Sequence, residues 1–507
     1  MDGQRTAPPT PWDIGPDPVP VRLRRSADAL AALRSRIGRW FAERRADRAF
    51  RRFTGHFDVL ETVLLRMLDR LAEASATPVA DPGECYERCR RLDGRVSLVR
   101  GLFEWYAEKY DQRLDGRPHA GLLRAADEVT RSCWQEPFVA ADLAPPTGPL
   151  CFVDGASAGH SVRRCPVPSD FRVAGDDPLA AFVAELPVPL VALPENATRE
   201  AWWLVVTAHE TGHHVQHDLG LTVPVVEALA SAAPPGLGRE WSTWSGEVFA
   251  DAFSVLMVGE AAGWAVGELA FGSTGHLLRP VGAYPAPVVR LALLGEVLRG
   301  ARALDAGPQV WPSFGTGAAG GTGVGSAFGT GAVGGAGGGA VSGAAEADGA
   351  GGGSLFGAAE AERWLVGLAG SGGPARERAL AHARALPGIA SALLDLPVAG
   401  YPLRSLADRD VLSNPRRIER WAAQLGRANP VLTPIDTRSA PRVLLAAGVR
   451  RYRSAGAADD LAGLHRALVR ALAGSGAPGV LARRPDRSAT GLADRLADRL
   501  LAEDGVR

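Results

Sequence analysis

His209-Glu210-Thr211-Gly212-His213 has the spacing HExxH, inside the run Trp202 to His217, whose pattern reads as helical. Two histidines four apart on a helix lie about 40° apart and one turn above each other, so both imidazoles can reach one ion. Zinc accepts neutral imidazole nitrogen and favours tetrahedral sites. Glu210 stands one residue further round the helix. From there it meets a water on the ion rather than the ion itself, the position of a general base.

A two-histidine zinc site needs a third protein ligand and an open position. A third histidine of the HExxHxxGxxH kind is absent, because Gln216 and Leu219 occupy those places. His217 lies about 80° round the helix from His209, a poor angle for a third ligand. The other source is a glutamate on a following helix. Glu247 and Asp251 stand four apart on one helix face, among Trp244, Phe249 and Phe253. Glu247 suits the ligand role. Asp251 suits the acceptor that takes the second N–H of a bound histidine and fixes its tautomer.

HExxH followed by ExxxD resembles the gluzincin metallopeptidases, the thermolysin-like branch of the zincins. The resemblance spans about residues 150–295. The gap from His213 to Glu247 is 34 residues, longer than in thermolysin. The resemblance implies His209, His213 and Glu247 on zinc, with Asp251 behind them. It implies peptide-bond hydrolysis by a metal-activated water, with Glu210 as base and a peptide or protein as substrate. Gly275 to Leu291 is similar to the segment after the third ligand in several such families, where a YPxPxxR-type stretch borders the site. Within it His276, Tyr284 or Arg290 would stabilise the oxyanion of a tetrahedral intermediate. Equally, Tyr284-Pro285 can be a plain turn and Arg290 the start of a surface helix. The alternative to catalysis is a non-catalytic zincin-like scaffold that binds partners. The intact Glu210 argues against it, because a scaffold needs no base.

A chain of 507 residues holds two to four domains. Hydrophobic residues make up 46% and charged residues 22%, the globular range. The formal net charge is +0, so nothing global argues for a nucleic acid or a membrane surface as partner. The five cysteines, Cys85, Cys89, Cys133, Cys151 and Cys165, are an odd number in a large chain. They fit reduced thiols in a cytoplasm better than a disulfide framework. The start of the chain lacks the pattern of a signal peptide, and no apolar run approaches membrane-spanning length.

The fold class expected is mainly α (α+β), a zincin-like core with a small mixed sheet flanked by helical regions. Residues 1–21 read as a Pro-rich, disordered N-terminus. Residues 22–145 read as helical, with Ser26 capping a helix to about Phe53 and further helices at about 57–75, 84–112 and 119–135. The arginine excess of the first helix suits either an anion- or partner-binding surface or a solvated face over Trp40, Phe41 and Phe53. A protein partner would bind through these helical flanks.

Residues 146–306 read as the catalytic domain. Strands are expected at 149–153 and 188–193, and Pro189 confines the second to a sheet edge or a strand start. As an edge beside the zinc helix, it would receive an extended substrate by strand addition. Gly220 and Gly259 mark the ends of the two metal-bearing helices. Residues 307–357 are mostly Gly, Ala, Ser and Thr and read as a flexible linker or insertion. Its GxGxxG at Gly315, Gly317 and Gly320 has no strand before it and no helix after it, so it is not a nucleotide site. Residues 358–507 read as helical again, with His382 and His465 in packing or surface roles. Deleting 313–353 is expected to leave zinc content and melting temperature unchanged, and limited proteolysis of the intact chain is expected to cut first within 307–357. A resistant segment, or a deletion that lowers either quantity, contradicts the linker reading.

Overall fold

The computed structural model describes residues 19–77, 81–154, 160–162, 187–270, 272–303, 357–368, 373–425, 427, 438–456, 459–476 and 487–502. All but Gly357 of the Gly/Ala-rich segment, nearly all of the Pro-rich N-terminus and Cys165 lie outside them. The described chain is mainly helical. Its principal sheet has three short strands: β1 (Leu150–Val153), β2 (His160–Val162) and β3 (Leu190–Leu193). No helix among the described residues is long and apolar enough to cross a membrane.

The strand order is β1-β3-β2, with β3 parallel to β1 and antiparallel to β2. Of the two alternatives for residues 188–193, the sheet edge is corrected, because β3 is the central strand, and the strand start holds for Pro189. Pro189 stands just before it, where the missing N–H costs nothing, and its carbonyl accepts from Leu150 N at 2.9 Å. The edge beside the histidine-bearing helix is β2, which contacts that helix as β3 does.

The sheet separates two cores. Leu150, Phe152, Leu190 and Ala192 pack with the N-terminal helices, whereas Cys151, Val191 and Leu193 face the core that holds the HExxH helix. This is the two-residue period of a strand buried on both faces. The first core joins Val19–Ala46, Thr54–Ser75 and Pro82–Asp111, and the last helix, Arg487–Ala502, packs against Thr54–Ser75. Ala120–Ala140, which the sequence grouped with the N-terminal helices, packs in the second core, as do the helices from 358 to 474.

Ser26 does not cap a helix. The first helix starts at Val19, and Ser26 is buried within it. Its arginines reach carboxylates on neighbouring helices: Arg36 to Glu104 at 2.6 Å, Arg44 to Asp111 at 2.8 Å, and Arg45 to Asp58 and Glu61 at 2.9 and 2.5 Å. Trp40 and Phe41 pack among Phe57, Phe103 and Tyr110 beneath them. Much of the basic surface is thus spent on holding helices together.

The HExxH helix runs Val206–Asp218 and the following carboxylate helix Gly238–Val258. Gly220 (φ 66°) and Gly259 (φ 60°) end them in conformations that side-chain-bearing residues avoid. The two helices meet at Gly212. A Cβ there would lie 2.9 Å from Ala250 Cα and 3.2 Å from a Phe253 ring atom. A helix-interior Gly→Ala change normally gains about 1 kcal/mol of helix propensity. Here overpacking against backbone opposes it at about 1–3 kcal/mol. Gly212→Ala is therefore expected to destabilise the protein, read as a lower denaturation midpoint in urea. A rise in the midpoint would show that the helices are free to part.

Candidate metal centre

The antiparallel crossing of these helices sets His209 and His213 opposite Glu247 and Asp251. His209 Nε2 lies 3.2 Å and His213 Nε2 3.4 Å from the same atom, Glu247 Oε2. The two imidazole planes are nearly perpendicular, at 88°, with centroids 4.9 Å apart. Among the described residues this is the one group of three His, Cys, Asp or Glu side chains gathered closely enough to hold a metal. A tetrahedron with bonds of about 2.0–2.1 Å has edges of about 3.3 Å, so both spacings to Glu247 fit zinc, as does the N,N,O donor set.

On its far side His209 presents Nδ1 at 2.9 Å from Asp251 Oδ1. Asp251 is buried and clamped by Arg290, whose Nε reaches Oδ2 at 2.6 Å and whose terminal nitrogen reaches Oδ1 at 2.8 Å. Arg290 comes from the helix Pro287–Ala303. The turn before it closes with reciprocal backbone bonds between Val281 and Tyr284, which the positive φ of Gly282 (58°) permits. That turn lays the Tyr284 ring 4.2 Å from the guanidinium carbon of Arg290 and its hydroxyl against Glu247.

Burial opposes charge on His209, but its contacts with Asp251 and Glu247 outweigh burial and raise its pKa to about 10. Burial likewise opposes ionisation of Asp251, yet Arg290 and His209 hold it at about 2. Glu247 falls well below the usual carboxylate range, because the two imidazoles overcome its burial. Burial pushes the Tyr284 hydroxyl up, and the neighbouring Glu247 charge adds to this, so it stays a proton donor at neutral pH. The carboxylates are thus ionised, the state a cation requires.

The chain matches no family model, no curated protein and no solved structure.

The geometry therefore stands on its own. It brings His209, His213, Glu247, Asp251, Tyr284 and Arg290 into one chain of contacts, with buried Glu210 on the same helix as the histidines. The guanidinium of Arg290 is engaged by Asp251 rather than directed at a substrate. His276 is exposed on the short helix Thr274–Leu277, its ring against Gly272, and no contact joins it to the centre. His217 pairs with Asp218 at 2.9 Å. His382 is buried and bonded to Glu240 at 2.6 Å, and His465 Nδ1 accepts from Ala201 N at 3.1 Å, so both serve packing.

Two residues of the centre gave little warning. His214 Nε2 donates to the carbonyl of Leu190 at 3.0 Å and ties the helix to the central strand. Gly212 carries the close helix contact; a glycine inside a helical pattern was the available signal. Cys133 and Cys151 are buried thiols pushed up to about 12 by desolvation, unsuited to ligation.

Arg290 would act on a metal held here through Asp251. Arg290→Met is expected to weaken zinc binding by roughly ten- to a hundredfold, the usual cost of losing an outer partner of a ligand. Competition with a chromophoric chelator measures this. An affinity unchanged from wild type would leave Arg290 a structural residue only.

Proposed function

We propose that the chain is a zinc-dependent metallopeptidase with a zincin-like core. The observation that carries this reading is the convergence of His209 Nε2 and His213 Nε2 on Glu247 Oε2, with Glu210 buried on the same helix. Zinc held there would supply Lewis acidity and lower the pKa of a bound water towards 7.

His209 and His213 would hold the zinc through Nε2, and Asp251 would keep the His209 proton on Nδ1. The Glu210 carboxylate accepts a proton and hands it to the leaving amide nitrogen. Tyr284 is the oxyanion donor: its hydroxyl lies beside Glu247 and stays protonated, whereas His276 is exposed and Arg290 is engaged. A peptide substrate is supported by β2. Among the described residues it has a strand on one side only, and it flanks the histidine helix, so an extended chain can add along its free edge.

Zinc content and turnover together test this. About one zinc per chain is expected by elemental analysis, lost in His209→Ala and Glu247→Ala and kept in Glu210→Gln. Glu210→Gln is expected to slow cleavage of a peptide library by on the order of 10²–10⁴, and Tyr284→Phe to lower kcat by about a hundredfold. A wild type that holds zinc yet cleaves no peptide would turn the reading towards a scaffold.

A further inference from the structure

We propose that the cleft between the helices Ala440–Arg453 and Leu461–Gly474 binds a nucleoside monophosphate, its base against Tyr452 and its phosphate among Arg427, Arg466 and Arg470. The cleft shares no residue with the metal centre, so the inference stands apart from the reading above.

Two adjoining cavities form the cleft, and Ala455 and Leu461 line both. The smaller, about 240 Å³, has Arg427, Arg451, Arg466 and Arg470 in its walls, together with two carboxylates, Asp459 and Asp460. Both carboxylates are engaged. Asp459 accepts from Arg451 at 2.5 Å and from Gly456 N at 2.6 Å. Asp460 caps its helix through Gly463 N at 2.7 Å and reaches Arg466 at 3.5 Å. Among the described residues Arg427 and Arg470 have no ion pair. Arg466 and Arg470 stand four apart on one helix face, where like charges repel. An anion between them turns that repulsion into attraction. A phosphate offers several acceptor oxygens to such a group of guanidinium donors.

The larger cavity, about 510 Å³, lies within the size range of small-molecule sites. Tyr452 and Trp264 stand in its walls. The Tyr452 ring stacks on Trp202, with centroids 4.4 Å and planes 17° apart, and Trp264 meets it edge-on at 5.6 Å. Tyr452 is only half-buried, so a ring held by two tryptophans still lines an open cavity. A flat base can stack on a ring so fixed. Glu268, exposed in the same wall, takes the Trp264 Nε1–H at 3.1 Å on one oxygen. Its second oxygen is an acceptor for an N–H on the edge of a base. Arg451 and Tyr452 are consecutive, so the basic and the aromatic cavity adjoin as a phosphate and a base do across one ribose. The carboxylates in the same walls disfavour a longer phosphate backbone.

Calorimetric titration of the full chain with AMP, GMP, ribose 5-phosphate and inorganic phosphate tests this. At least one nucleotide is expected to bind roughly ten- to a hundredfold more tightly than ribose 5-phosphate, the gain from one stacked base. The double variant Arg466→Gln/Arg470→Gln, at two exposed positions, is expected to weaken nucleotide binding about tenfold or more at an unchanged melting temperature. Tyr452→Leu is expected to lower nucleotide affinity to that of ribose 5-phosphate and to leave ribose 5-phosphate binding as it was. The inference is overturned if neither nucleotide binds more tightly than inorganic phosphate, or if the arginine variant binds within twofold of wild type. Should Tyr452→Leu melt lower, the comparison of nucleotide with ribose 5-phosphate on wild type decides the stacking part. Zinc content bears on none of these outcomes.

Discussion

The contact of Gly212 with the backbone of Ala250 governs the distances on which the site depends. A glutamate side chain is short, and Glu247 must bring one oxygen to 3.2 and 3.4 Å from two imidazoles on another helix. That is achievable only where the two backbones nearly touch, and a Cβ at Gly212 would already lie 2.9 Å from Ala250 Cα. Ala250 sits between Glu247 and Asp251 in sequence. Close approach at one point therefore delivers one carboxylate to each nitrogen of His209.

From that contact a line of paired groups runs through the site: Arg290, Asp251, His209, Glu247 and His213. Arginine keeps its charge under all ordinary conditions, so the line has a fixed end. The Arg290 charge keeps Asp251 ionised, and an ionised Asp251 keeps the proton of His209 on Nδ1. Glu247 faces the other nitrogen, and the two carboxylates together favour the protonated imidazole. A residue 39 positions after Asp251 thus bears, through that carboxylate, on the charge of His209. The desolvation that makes each member costly alone is offset by its neighbours, the condition under which a buried ionic network is tolerated.

The parts legible in the sequence are those governed by helical period. Four-residue spacing puts His209 with His213 and Glu247 with Asp251 on shared faces, whatever the rest of the chain does. Gly220 and Gly259 mark helix ends for an equally local reason. What sequence could not supply was partnership across the chain. Nothing near Arg290 says that it will clamp Asp251 instead of facing a substrate. Nothing near residues 188–193 says that β1 and β2 will take both sides of that strand. Ser26 was misjudged because a good capping residue is also tolerated inside a helix whose hydrophobic face continues to either side of it. The arginines of the first helix gave a composition but not the carboxylates on two other helices that occupy many of them.

The sheet connects the candidate site to the part of the molecule that seemed furthest from it. His214 follows His213 and donates to the carbonyl of Leu190, so the position of the histidine helix is referenced to β3. The inner faces of β1 and β3 then divide between the two cores. Leu190 and Ala192 are held by the N-terminal helices, and Val191 and Leu193 by the core of the histidine helix. Arg113, on the N-terminal side, bonds Asp127 at 2.9 and 2.6 Å and the carbonyl of Cys151 at 2.7 Å, which joins the strand to the helix Ala120–Ala140. The strand that anchors the histidine helix is therefore itself fixed from both faces. The helical flanks accordingly form part of the support of the centre, since loss of either core would uncover one face of the strands to which His214 is tied.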